Sequence, residues 1–391
     1  MRQQRNVGTP ERNAHRLSAT VGLTEPDAAD CRLPCAVSDV GLPGYRPRAR
    51  RPLAGALALA VIATALLALA WGSVRIPVGT TARIVAAHLP FVGPHLGIAA
   101  DWPASTATIV LMIRLPRVLL AGLVGAALAL AGATYQGLFR NPLADPYLIG
   151  VAAGAALGAT ASLILGLPAG LYSAGLTQWC AFAGALLAVG AVYGLARVGG
   201  ATPLTTLLLA GVAIGALASA ATSFLMFWRG DQLLAIYGWL LGGFTLASWS
   251  RVWLLAGYVA LGAALLLPAG RLLNALQLGE EGAQALGIDV ERLKVALVVA
   301  ATLVTAAAVS VSGLIGFVGL IVPHAVRLLW GGDYRTLLPL SALGGALFLI
   351  VADGLARTIV APGELPVGIL TALCGAPFFL YLLRRSKRAV F

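Results

Sequence analysis

The sequence predicts an all-α membrane protein with ten transmembrane helices, and three observations carry that prediction. Of its 391 residues, 59% are hydrophobic and 11% charged, with a mean hydropathy of +0.89, a balance that a water-soluble globule of this length does not sustain. Apolar runs recur from Leu53 onward, most of them near the roughly 20 residues a helix needs to cross a hydrocarbon layer about 30 Å thick. Between Arg114 and Gly158 an almost charge-free helical pattern breaks at the polar segment from Arg140 to Pro146 and resumes as a glycine-spaced run. Two runs hinged by a proline-bounded turn read as a membrane hairpin.

Residues 1–45 are rich in Arg, Pro, Gly and acidic residues without an apolar period, the composition of a disordered tail, here placed on the cytoplasmic side. Cys31 and Cys35 lie in that tail without a His or a second Cys pair, so no metal site is expected. The ten-helix domain is assigned to residues 46–391. Arg46, Arg48, Arg50 and Arg51 abut the first apolar run, 53–70, which begins too deep in the chain for a cleaved leader and is read as an uncleaved span. Further spans are expected at 107–137, 147–166, 176–196, 203–227, 251–268, 294–313, 314–330, 336–360 and 366–383. The boundary at Ser312 and Gly313 is the weakest, because the flanking runs nearly fuse and the second is short for a crossing. Cys180 and Cys374 fall within runs, where a small soft side chain packs without a partner.

Charge orients the bundle, since Lys and Arg accumulate on the cytoplasmic side. With the N-terminus inside, fifteen of the cations from Arg46 onward fall on inner segments and seven on outer ones. Both termini are therefore expected in the cytoplasm. Glycines recur at helical spacing at Gly150, Gly154 and Gly158, at Gly211 and Gly215, and at Gly238 and Gly242. Such stripes let helix backbones approach in lipid, where association depends on packing.

Several function classes are excluded. The formal net charge of +12 comes from Arg residues set singly between apolar runs, unlike the basic face with interleaved aromatics of a nucleic-acid surface. An intramembrane enzyme needs ionisable groups within reach of one another, and the spans offer almost none. Asp353 is the clearest acid, and Arg357 lies four residues later on the same helical face, as a local ion pair would require. His324 follows Pro323 without a second His nearby and is expected to hydrogen-bond at a helix interface. No catalytic residue, cofactor or metal is assigned. A phosphate-cradling loop needs Gly, then Lys, then Ser or Thr. The two lysines, Lys294 and Lys387, follow Leu293 and Ser386, so ATP hydrolysis would fall to another polypeptide.

The segment 269–293 carries Glu280, Glu281, Gly282, Ala283, Leu286 and Gly287. It is expected to form a short helix whose acidic start complements the helix dipole and whose glycine ends it. A solvated loop helix and a docking helix for a motor subunit both fit.

From about Leu53 to Arg385 the chain resembles the FecCD-type permease subunits of ABC importers for ferric siderophores, haem and vitamin B12. Four motifs carry the resemblance: Arg114-Leu115-Pro116-Arg117, Asn141-Pro142-Leu143-Ala144-Asp145-Pro146, the stretch from Gly313 to His324, and Glu364-Leu365-Pro366-Val367-Gly368. The resemblance implies a type II ABC importer permease fold and a homodimer enclosing the translocation path, with two ATP-binding subunits below and a periplasmic substrate-binding protein above, in the inner membrane. It implies that Arg114, Arg117 and Arg357 meet carboxylates of the binding protein, a pairing that guanidinium geometry suits. It also implies that the 280–288 helix sits in a cleft of the ATPase dimer. Asn141, Pro142, Trp228 and Arg229 are assigned to the path or its gate.

An aromatic and arginine rim at Phe224–Asp231 suits haem, while Trp228 suits interfacial anchoring equally. Iron chelates, haem or a ferric siderophore, are thus placed ahead of cobalamin. The rival class, a secondary transporter driven by an ion gradient, needs more intramembrane acids than Asp145 and Asp353.

Overall fold

A computed structural model describes residues 50–387 apart from short stretches at 73, 90–92, 96, 166–169, 171–174, 198, 200–201 and 362. The tail at 1–45, with Cys31 and Cys35, and the cations Arg46 and Arg48 lie outside the described residues. Among the described residues the chain is helical throughout, with no strand.

Apolar runs of spanning length become helices because a helix pairs its own backbone groups where no water can. α1 (Arg50–Ala70) is followed by a short α2 (Val78–Ala87) and by α3 (Ala104–Leu138), which passes through a π-helical stretch, Ile109–Arg114. Then come α4 (Val151–Ile164), α5 (Leu176–Ala196), α6 (Leu204–Trp228), the short α7 (Leu233–Leu240) and α8 (Trp249–Leu266). Two small helices follow, α9 (Gly270–Leu276) and α10 (Glu280–Ala285), before α11 (Val290–Ser312), α12 (Val318–Trp330), α13 (Tyr334–Ala356) and α14 (Val367–Lys387).

Seven of these, α1, α3, α5, α6, α8, α11 and α13, are long and apolar enough to cross a membrane. The shorter apolar helices α4 and α12, together with α14, occupy the remaining three of the ten expected places. Ser312 and Gly313 do mark a true boundary: Gly313 sits at φ 70° and Phe317 at φ 69°, so the helix cannot continue through them. With 13 residues, α12 is about 20 Å long, too short for a full crossing.

α3 is the axis of the bundle. Its most apolar window is 83% buried and that of α11 is 78%, against 17% for α1 and for α6. It packs on α13, α11, α12 and α8, while α4 is held between α5 and α6. Bare backbone faces make these approaches: a Cβ on Gly125 would collide with the carbonyl of Gly345, and one on Gly154 with the carbonyl of Gly184. The 150/154/158 stripe thus packs as expected, whereas Gly215 and Gly238 have open space around them. Cys180 is half-buried, and Cys374, expected to be packed, is exposed on α14.

Gly345→Val should force α3 and α13 apart, at a cost of about 1–3 kcal/mol or more, and lower the melting temperature of the purified protein in detergent. Gly354→Ala on the same helix, where nothing lies within 4 Å, should leave it unchanged or higher.

Candidate translocation and coupling sites

At the end of the bundle that holds Arg117, four charged side chains from α3, α13 and the segment before α14 converge. Arg117 Nη2 donates to Asp353 Oδ1 and its Nη1 to Glu364 Oε2, both at 2.9 Å. Arg357 Nε lies 3.1 Å from Asp353 Oδ2, the local ion pair expected from their spacing, and donates to the Asp353 carbonyl at 3.3 Å. Asp353, 1% exposed, is thus held between two guanidinium groups, which offset the cost of placing a carboxylate deep in a bundle. Glu364, whose side chain is 41% exposed, is the member the sequence reading missed, although it heads the fourth motif.

Arg114 requires a correction. It was grouped with Arg117 and Arg357 as a docking cation, but it is 5% exposed and its guanidinium donates to the carbonyls of Leu69 (2.7 Å), Ala70 and Val74. A helix leaves its last four carbonyls without internal partners, and Arg114 serves two of those of α1, Leu69 O and Ala70 O. It caps α1.

Beside this cluster lies a cavity of about 590 Å³, lined by Gln178 and Thr177 of α5, Trp239 of α7, Phe244, Arg251 of α8 and Glu364 among others. Its size falls in the range of small-molecule pockets, and its walls are mostly apolar with a few convergent polar groups. With the Gln178 amide turned to satisfy both its neighbours, its oxygen accepts from Arg251 Nη2 at 2.7 Å and its nitrogen donates to Gly175 O at 2.9 Å. Trp228 and Arg229 do not line this cavity. They end α6, both exposed, with Trp228 stacked on Phe224.

The proline-bounded turn is not a simple surface hairpin. Asn141 and Pro142 are exposed, and Asn141 Oδ1 accepts from the Leu143 amide at 2.9 Å, an Asx turn. Beyond them the chain folds back along α3: Pro146 lies beside Gly319 and the Leu128 carbonyl, about 15 Å before the end of α3 at Leu138. Asp145 Oδ1 accepts from the Tyr147 amide at 2.8 Å, starting a single 3₁₀ turn, Pro146–Ile149. Gly150 (φ 85°) then redirects the chain into α4.

Tyr147 meets the other break in the bundle. Its hydroxyl donates to Ile315 O at 3.0 Å and accepts from Ile315 N at 3.3 Å. Gln136 completes the junction, with Nε2 donating to Leu320 O at 3.2 Å while its Oε1 accepts from Arg327. Short α4 and short α12 therefore start from one internal junction, where the non-helical backbone is paired by side chains of the same chain. His324 faces the backbone of Pro142 and packs edge-on against Phe378, while its buried Nδ1 has no hydrogen-bond partner among the described residues.

At the opposite end, α9 and α10 project beneath α3. Gln277 Nε2 donates to Gly137 O at 3.0 Å, and Asn274 Nδ2 donates to Asp333 Oδ1 at 2.8 Å. Gly279 (φ 98°) and Gly287 (φ 79°) bound α10 with backbone conformations that L side chains rarely take. Glu281, Gln284, Ala285, Leu286 and Gly287 are exposed, with Leu286 at 63%. Ala283 is fully buried, so its part in this helix is to seat α10 on the bundle, and the exposed face belongs to its neighbours. The Arg335 guanidinium, with help from Asn274, holds the Asp333 carboxyl well below the usual carboxylate range. No group of metal-ligating side chains occurs among the described residues.

A profile described as the FecCD transport family matches residues 59–385. The chain belongs to that family. Among similar proteins, the cobalamin import system permease of Halobacterium salinarum is 49% identical over 78% of this chain and 83% of its own. The hemin transport system permease of Yersinia pestis is 47% identical over 71% and 83%. A solved chain titled as a metal-chelate type ABC transporter in an inward-facing conformation superposes with a TM-score of 0.73 at 31% identity, covering 86% of this chain and 99% of that one. The fold is that of type II ABC importer permeases, as the FecCD resemblance implied.

A depressed Asp333 carboxyl contributes stability that is present above its unfolded value of about 3.8 and is lost as pH falls through the lower folded value. Acid melting curves between pH 5 and pH 2 should therefore steepen for the parent protein, and Asp333→Asn should flatten that limb while lowering stability at pH 7.

Proposed function

We propose that this chain is the membrane-spanning permease subunit of an ATP-driven importer that carries an iron chelate, haem or a ferric siderophore, into the cytoplasm. The observation that carries this reading is the pairing of a ligand-sized cavity at one end of the bundle with an exposed glycine-bounded helix, α10, at the other. Cargo enters at the Arg117 end, which faces outward, and force arrives at α10. The chain lacks a phosphate-cradling loop, so the force comes from two separate ATP-binding subunits engaging Glu281, Leu286 and Gly287, with Glu280, Gly282 and Ala283 seating the helix. ATP-driven closure of those subunits shifts α10 and switches the path between two states. The assembly sits in the inner membrane with both termini cytoplasmic.

A homodimer fits the exposed apolar face of α6, where Leu209, Val212, Leu217 and Phe227 stand open, Phe227 at 90%. A periplasmic substrate-binding protein docks on the Arg117 end, where one carboxylate of the partner takes the guanidinium edge that Glu364 now holds and Arg357 supports it. Asn141 and Pro142, at the exposed tip of the re-entrant turn, belong to the gate, and Trp228 and Arg229 to the rim of the path. Arg251 beside aromatic walls favours an apolar chelate bearing a carboxylate. The named cobalamin permease among the relatives supports the second reading, a cobalamin cargo.

Vesicles containing the complete complex and internal ATP should accumulate haemin after the proton gradient is collapsed, with Glu364→Gln tightening capture of the binding protein at low salt by freeing Arg117. Loss of uptake with the gradient would favour a secondary transporter, and accumulation of cyanocobalamin alone would favour the second reading. Unchanged or weaker capture in Glu364→Gln would remove Arg117 from the docking surface.

A further inference from the structure

The α10 end of the bundle contains a buried cation that neither the fold nor the docking of a motor explains. Lys294, in the second turn of α11, is 3% exposed. A lysine so close to a helix end ordinarily extends its stem to keep the ammonium in water. Here Nζ turns inward and donates to Glu280 Oε2 and Glu291 Oε1, both at 2.8 Å, and to Thr202 O at 3.4 Å. Glu291 Oε2 in turn accepts from the Thr202 amide at 3.1 Å, and Thr202 Oγ1 donates to the Tyr193 hydroxyl at 3.1 Å.

One ammonium thus binds three pieces of chain together: Glu280 of α10, Glu291 of α11, and Thr202 in the connection between α5 and α6. Both polar groups of the Thr202 backbone are held, two residues before α6 begins at Leu204. The two ends of this link differ in freedom. α10 is a six-residue helix with most of one face exposed, and α6 buries only 17% of its apolar window against the rest of the chain, so each can move without tearing the core around α3. A desolvated ion cluster adds little net stability, but removing one partner leaves a buried charge uncompensated, so a displacement of Glu280 is carried to Thr202 more readily than it is absorbed.

We propose that Lys294 is the positioning residue that transmits movement of α10 to the start of α6, making the Glu280-Lys294-Thr202 link the mechanical connection between the motor contact and the helix bordering the path. The proposal rests on the ATP-driven reading, and its test separates the two. The complete complex, with its ATP-binding subunits and binding protein, is reconstituted in vesicles, and the amount of haemin, or of cyanocobalamin if that is what the parent moves, is measured per ATP hydrolysed. A parent complex that moves neither cargo with ATP sinks the importer reading itself.

Given a coupled parent, Glu280→Ala cuts the α10 arm alone and leaves Lys294 bonded to Glu291 and Thr202. It should lower cargo per ATP about tenfold, the scale of a typical coupling free energy, with the melting temperature held. Lys294→Met should lower the ratio as well, with a lower melting temperature because Glu291 loses its buried cation, and Lys294→Arg, which keeps the charge and donors, should restore most of the ratio. A parental ratio in Glu280→Ala overturns the proposal, and so does a loss in that variant that tracks a fall in melting temperature, the signature of a purely structural role.

Discussion

Hydrocarbon offers no partner to a backbone amide or carbonyl, and that single constraint organises this protein. Wherever a helix stops inside the bundle, the chain must pair the freed groups itself, because each one left open costs several kcal/mol. The Tyr147 hydroxyl, bonded to both the amide and the carbonyl of Ile315, is the clearest instance. It lets two short helices begin at one internal junction. Arg114 performs the same service for the end of α1, and the Gly243 amide for the last carbonyl of α11, Ser312 O, at 2.8 Å.

These paired breaks place irregular backbone against the axis helix α3, which is buried and, beyond its π-helical stretch, regular. A bundle built this way has a stiff centre, α3 with α11 and α13, and a more loosely held flank in α6. The cavity beside Arg251 sits at one end of that arrangement and α10 at the other. Stiff centre and loose flank are what an alternating pathway requires, since a two-state change needs packed units that shift as wholes.

Much of this was legible in the sequence. Composition and run length gave the class and the ten places, because burial in lipid demands apolar residues in stretches of fixed length. The i,i+4 spacing of Asp353 and Arg357 was readable because helix geometry alone sets it. What escaped were the facts that depend on depth and direction. Nothing in the order Arg114-Leu115-Pro116-Arg117 tells that the first guanidinium turns to the α1 carbonyls while the second turns to Asp353, three residues being nearly one helical turn but separated here by the end of a π-helical stretch. The polar turn after Leu138 looked like a surface loop because its composition is that of one, and its return along α3 is set by Gly319 and Pro146, 173 residues apart in sequence. Lys294 was counted only for charge bias and to dismiss nucleotide binding, and its burial follows from carboxylates on two other turns of chain.

The most direct test of the account is the stability of Tyr147→Phe, which deletes one oxygen and leaves the shape of the ring. If the hydroxyl pairs the broken backbone at Ile315, its loss should cost about 1–3 kcal/mol, read as a lowered melting temperature of the detergent-purified protein and as faster amide exchange at Ile315. A Tyr147→Phe protein with parental melting and parental protection of that amide would contradict the claim that the two interrupted helices depend on this junction.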